Sequence, residues 1–332
     1  MMKLTFINVG YGEAILIECP DPAFPGGTFT MLIDAGSAEA DEYADNTTGR
    51  IPAARFLKER EVDHLDLMVN SHIHEDHLCG LLPVAKQILP RRFWQSLSAD
   101  FWRQIPHLSP SLAGTSSIHK QVCAINDYRS LCSRLEAEGT EISSIVASEQ
   151  VFPLCQNLTL QVLAPSQMQV DQLEQMFRDV CNAPDEEACR IAVAHLDGAM
   201  NNYSLIFLLE YDGVRILLPG DTNRDGYDTI AGDLAAHIFK VGHHSQLDGA
   251  SPELMDRIRP EYVVSCASSD CRFGSAHPKI LQMMDQKGAK LFFSDCPHVP
   301  PYTDALQPHQ AVEFAISRGS ITPRYLVCQG AT

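Results

Sequence analysis

The chain has 332 residues, 45% of them apolar, enough to bury a large core in one big domain or two modest ones. Its 42 acidic against 25 basic residues give a formal charge of -17, so the surface as a whole repels nucleic acid, anionic membranes and acidic partners. No stretch approaches the roughly 18 uncharged apolar residues a membrane span needs, and Met1 to Pro20 alternates apolar and polar residues as a strand does, unlike a signal peptide. Eleven cysteines, an odd number without close metal-binding pairs, read as reduced thiols of a cytoplasmic protein. Cys266 and Cys271, the closest pair, read as small core residues.

Three short apolar-rich runs, Lys3 to Val9, Ala14 to Glu18 and Thr30 to Asp34, are separated by Gly10, Gly12 and the Pro/Gly-rich stretch after Pro20, which predicts a strand meander. Gly10 and Gly12 lack the third glycine and following helix of a phosphate-binding loop and read as a strand turn. Gly49 to Glu61 has near-helical apolar spacing, and Leu65 to Val69 reads as a largely buried strand. Residues 91–185 are expected to be the least regular region, with helices at Tyr128 to Gly139 and Gln167 to Val180 and a strand at Leu158 to Leu163 between them. Further strands follow at Ser204 to Glu210, Val214 to Leu218, Ile238 to Val241 and Tyr262 to Ser265, then a helix at Pro278 to Lys287 and a strand at Lys290 to Ser294. Strands in both halves with flanking helices predict an αββα sandwich forming one domain over 1–332, with two βα domains as the alternative.

The strand at Leu65 to Val69 runs into SHIHEDHLCG, so His72, His74, Asp76 and His77 sit on a loop at a strand's C-terminal end, where layered α/β proteins place ligands. Imidazole and carboxylate suit zinc and its first-row neighbours, and alternate residues on a tight loop let two side chains face one ion and two the next. The plain alternative is a solvated polar loop. A divalent metal with an open position brings the pKa of water from about 16 toward 7, and two metals stabilise the attacking and leaving oxygens of an in-line displacement.

The HxHxDH pattern after a strand resembles the signature of the metallo-β-lactamase superfamily, which implies a four-layer αββα sandwich with one or two metals at its edge. Within the superfamily the chain resembles the hydrolase domain of the DNA-uptake competence protein and its soluble relatives, through INVGYGEAILIE, LIDAG, NNYSLIFLLEYDGVRILLPGD, VGHHS and SAHPKILQMMDQKGAKLFFSD. The resemblance implies His72 and His74 on a first metal, Asp76 and His77 on a second, Asp221 of LLPGDT bridging them, and His243 as the last ligand, with His244 beside it in contact with substrate. The two histidines of that pair are exchangeable in this assignment. The usual third-motif histidine is replaced by Asn201, which makes the first site richer in oxygen. His195 is a candidate for the missing imidazole or an ordinary loop histidine, and His277 a candidate catalytic group or a helix-start residue before Pro278.

Asp76, His244 and His277 are the expected catalytic groups, and the expected cofactors are two divalent ions, zinc first, with manganese or iron as alternatives. Metal-dependent hydrolysis of a phosphodiester follows from the resemblance, on a small phosphodiester, a nucleotide or nucleic acid. The charge of -17 supplies no funnel for a long polyanion, and Arg91, Arg92 and Arg103 are the only modest basic group expected near the cleft. The alternatives are hydrolysis of a lactone, thioester or β-lactam, and a binding or regulatory module that loads metal poorly. Trp94, Phe101 and Trp102 are candidates for cleft lining or for core.

Overall fold

The computed structural model describes residues 1–45, 47–112 and 115–327. The last five positions of the expected 1–332 domain lie outside the described residues. The chain opens with β1 (Met2–Ile7), β2 (Ile15–Pro20) and β3 (Thr28–Ile33), then α1 (Ala53–Glu59), β4 (Leu65–Val69), α2 (Glu75–Leu78), α3 (Leu81–Gln87) and β5 (Pro90–Gln95). It continues through α4 (Ser116–Ala137), β6 (Glu141–Ser144), β7 (Val151–Cys155), β8 (Leu158–Ala164), α5 (Gln167–Cys181) and α6 (Glu186–Met200). The remainder runs β9 (Ile206–Tyr211), β10 (Val214–Leu218), β11 (Ile238–Lys240), α7 (Pro252–Ile258), β12 (Tyr262–Ser265), α8 (Pro278–Gln286), β13 (Lys290–Phe293), β14 (His309–Ser317) and β15 (Ser320–Val327).

The strands form two mixed sheets, one ordered β15-β14-β1-β2-β3-β4-β5-β6 and the other β13-β12-β11-β10-β9-β8-β7. Period-two alternation decides what each strand buries. On β2, Ile15 and Ile17 face the second sheet while Leu16 faces the helices; on β8, Leu158, Leu160 and Val162 point back into the same inter-sheet core. A second apolar cluster joins the outer face of the first sheet to α1, α3, α4, α5 and α6, and a third joins the outer face of the second sheet to α7 and α8. Helix, sheet, sheet and helix are thus held by three apolar seams, each fully buried Leu, Ile or Phe contributing about 1.5–3 kcal/mol. This is the αββα layering expected from the sequence.

The segment 91–185 is more regular than expected. Its β5 and β6 extend the first sheet and its β7 and β8 edge the second, while α4 and α5 pack on the first sheet's outer face. Helix α4 starts at Ser116, well before the expected Tyr128. Thr115 caps it by accepting from the Ile118 N–H, and Ile118, Val122, Ile125, Tyr128 and Cys132 carry one buried stripe. The polar run from His119 to Gln121 hid that stripe from pattern reading. Helix α6, capped by Asp185, and the β14–β15 hairpin, whose Ile316 pairs with Met2, also lay outside the sequence reading. No described helix is long and apolar enough to cross a membrane.

Candidate metal centre

The C-terminal ends of β3, β4, β10 and β11 meet at one edge of the sandwich and deliver Asp34, the His72–His77 loop, Asp221 and the His243/His244 pair. Asp34, at φ +54° and fully buried, fixes the loop after β4. Its carboxylate accepts from the Ser71 N–H at 2.8 Å and the Ser71 hydroxyl at 2.5 Å, and lies 2.8 Å from His77 Nδ1. From the other side Gly12 packs against the Asp76 carbonyl, where a Cβ would sit 2.2 Å from that oxygen, so only glycine fits. The Gly10–Gly12 segment is therefore a strand turn that braces the histidine loop.

Four side chains offer ligand atoms within 4.8 Å of one another: Asp76, His77, Asp221 and His244. His244 Nε2 lies 2.9 Å from Asp221 Oδ2 and 3.0 Å from Asp76 Oδ2, and His77 Nε2 lies 3.3 Å from Asp221 Oδ2 and 3.3 Å from His244 Nε2. Beside them His72 Nε2 and His74 Nδ1 stand 3.1 Å apart. The remaining ring nitrogens are tied outward: His77 Nδ1 to Asp34, His244 Nδ1 to the Cys266 carbonyl at 3.0 Å, and His74 Nε2 to the Asp197 carbonyl at 3.2 Å. Those acceptors hold the ring protons on the outer nitrogens and leave the inner lone pairs facing each other and two carboxylates. Such a convergence is repulsive among the neutral imidazoles and is relieved by a cation or by protons. Asn201 Oδ1, buried without a hydrogen-bond partner at the same cleft, adds an unsatisfied oxygen. The donor set fits one or two divalent ions.

Protons provide the balance when no cation does. Burial opposes charge on His244, but Asp221 and Asp76 outweigh it and push its pKa up to about 9. Burial likewise opposes charge on His77, and the same two carboxylates raise it well above the ordinary value. Burial also works against the Asp221 charge, yet His244, His77 and Lys240 hold its carboxyl well below the usual range. His72 is the exception, since burial and the neighbouring His77 and His74 keep it neutral.

The structure separates the predicted residues into groups. His72, His74, Asp76, His77 and Asp221 come together, and His244, not the sequence-preferred His243, completes the four-atom cluster. His243 Nδ1 instead meets Asp248 at 2.9 Å, and its Nε2 lies 3.1 Å from the Asn201 amide nitrogen, on the wall of the cleft. The turn that achieves this strings His243, His244 and Ser245 through positive φ, a strained run of the kind found at functional sites. His277 caps α8, its Nδ1 accepting from the Lys279 N–H at 3.2 Å, and does not line the cleft. His195 is exposed on α6 in a separate surface groove, whereas Asp197 on the same helix and Asn201 at its C-terminal end reach the cleft.

Arg91 and Arg103 pair with Asp66 and Glu136 away from the site, and Arg92 lines other pockets. Trp94, Phe101 and Trp102 are core residues. Among the described residues, the lysine or arginine lining the cleft is Lys120 of α4, 3.1 Å from buried Glu75. Burial raises the pKa of Glu75.

Lys240 carried no signal in the sequence reading. It is fully buried at the end of β11, donates to the Gly220 carbonyl at 2.7 Å and to Asp221 Oδ1 at 3.2 Å, and pairs with Glu13. It occupies one oxygen of Asp221 and leaves Oδ2 turned toward His77 and His244. No local pattern marks it, because its partners Glu13 and Asp221 are remote in sequence.

Residues 7–121 match the family model of the metallo-beta-lactamase superfamily. A stretch of 98 residues is 26% identical to ComE operon protein 3 of Bacillus subtilis (strain 168), covering 29% of this chain and 13% of that protein. The chain therefore spans a small part of that relative. Among solved structures, Zn(2+)-bound PqqB from Methylobacterium extorquens aligns over 89% of this chain and 98% of its own at 10% identity and a TM-score of 0.43. A diphosphatase from the PhnP family aligns over 96% and 98% at 10% identity and a TM-score of 0.40. The family match and the layered fold support the resemblance to metallo-β-lactamase-superfamily hydrolases, and the curated match supports the competence-type likeness.

Proposed function

We propose that the protein is a metal-dependent phosphodiester hydrolase acting on substrates of about nucleotide size. The convergence of Asp76, His77, Asp221 and His244 within 4.8 Å carries this reading. His72 and His74 would hold a first ion, Asp76, His77 and His244 a second, and Asp221 would be shared. Zinc suits the imidazole-rich set, and manganese or iron would suit the oxygen that Asn201 adds. Such ions supply a water nucleophile at neutral pH and stabilise charge on phosphoryl oxygens.

The chain's own residues do the rest. Lys120 faces the cleft with an ammonium suited to a phosphate oxygen, and Lys240 keeps Asp221 ionised and oriented. His243, its Nδ1 held by Asp248 and its Nε2 3.1 Å from the Asn201 amide nitrogen at the cleft wall, would in its doubly protonated form pass the Nε2 proton to the departing oxygen. Tyr11 keeps its phenolic proton, since burial and the charges of Asp76 and Asp221 raise its pKa. The cleft, about 260 Å³ on a chain of charge -17, favours small phosphodiesters over long nucleic acid. The scattered cysteines support a reducing, cytoplasmic setting for this reading.

The test is turnover of bis(p-nitrophenyl) phosphate and of a simple lactone by chelator-treated protein reloaded with zinc or manganese. Metal-restored phosphodiester cleavage supports the reading. Lactone cleavage alone replaces it with carbonyl hydrolysis.

A further inference from the structure

Phe273 keeps 71% of its surface exposed, although it stands in a tight turn at φ +56° that follows Cys271 at φ +49°. A ring in that position gains little from burial and sits in a backbone region that side chains disfavour, so the fold gives no reason for it. Its surroundings do. The Phe273 ring meets Tyr11 edge-on with centroids 5.3 Å apart, and the Tyr11 ring is 4.5 Å from His244. Tyr11 is itself fixed, with the Arg272 guanidinium 5.3 Å from its ring centre and its hydroxyl accepting from Gln246 at 3.1 Å. Both rings line the cleft that Lys120 and His243 also line.

We infer that Phe273, backed by Tyr11, is a stacking platform for a nucleobase, which makes the substrate a nucleotide-bearing phosphoester. This inference rests on the phosphodiester reading for the phosphoester and on the aromatic pair for the base. A base has a π-face whatever its identity, so an open ring face supplies affinity without sequence choice. With 71% of its surface exposed beside its one-sided contact with Tyr11, Phe273 keeps ring surface open for that contact. Removal of one stacking ring lowers base affinity about 5- to 150-fold, the equivalent of about 1–3 kcal/mol.

Calorimetric titration of the zinc-loaded protein with AMP and with ribose 5-phosphate reads the base directly. AMP is expected to bind tighter by that factor; Phe273→Leu, apolar but not planar, should lose the preference, and Phe273→Trp should keep it. In parallel, saturation-transfer NMR on metal-free protein should show contact with the adenine protons of adenosine that Phe273→Leu removes, while ribose shows none. Equal binding of AMP and ribose 5-phosphate, or a preference that survives Phe273→Leu, overturns the inference. Turnover of bis(p-nitrophenyl) phosphate keeps the two claims apart. Turnover with no base preference leaves the hydrolase reading and removes the platform, whereas adenosine contact at Phe273 without any phosphodiester turnover does the reverse.

Discussion

Replacing Lys240 with methionine removes a charge from the interior while filling nearly the same space. The ammonium it removes donates to the Gly220 carbonyl at 2.7 Å and to Asp221 at 3.2 Å and pairs with Glu13, which is 1% exposed. Because the methionine stem repacks the same apolar walls, the hydrophobic contribution changes little. The loss is electrostatic: breaking one partner out of a buried ion pair costs about 3–5 kcal/mol, since the abandoned carboxylate stays buried. Adding Glu13→Gln removes that orphaned charge, so the double variant is expected to be more stable than Lys240→Met alone, with a coupling of about 0.5–3 kcal/mol. Urea unfolding of the metal-free wild type, the two single variants and the double variant at neutral pH measures the cycle. A Lys240→Met protein within about 1 kcal/mol of wild type, or one that Glu13→Gln destabilises further, refutes the reasoning.

The adjacent histidines should separate by readout: His244→Ala is expected to lower metal stoichiometry, whereas His243→Ala keeps the metal and loses about 10²- to 10⁴-fold in turnover as a proton donor is removed. His277→Ala removes a helix cap and should cost about 0.5–2 kcal/mol in unfolding experiments while phosphodiester turnover stays near wild type. The metal-free protein should lose stability as pH rises above neutrality. His244 is raised from 6.5 to about 9, so the stabilisation from its pairing with Asp221 and Asp76 is fully present below pH 6.5 and lost through pH 9. That shift corresponds to at most about 3 kcal/mol. Below pH 6.5 His72, lowered by burial, works in the opposite direction, so a chemical-denaturation series should peak near neutrality, and zinc should flatten its alkaline limb.

What the sequence disclosed about the site was what lies close together along the chain. His72, His74, Asp76 and His77 share one loop, and Asp221 ends a strand in a recognisable GDT, so their chemistry could be read without coordinates. The choice between His243 and His244 could not, because it turns on three consecutive positive-φ residues that rotate one imidazole inward and the other outward. Asp34 was visible only as part of LIDAG; its work of fixing Ser71 and His77 depends on the parallel pairing of β3 with β4. Lys240, Glu13, Tyr11 and Phe273 meet across long sequence separations that no local pattern encodes. The layered fold was legible from alternating strands. Helix α6 and the β14–β15 hairpin were not, although α6 is the element that brings Asp197 and Asn201 to the cleft.

The central claim is a metal centre shared through Asp221, and metal content measured together with turnover tests it most directly. Wild-type protein should carry divalent metal and cleave bis(p-nitrophenyl) phosphate only with it, while Asp221→Ala remains folded, loses bound metal and shows no metal-dependent cleavage. An Asp221→Ala protein that retains full metal and full turnover would contradict the account.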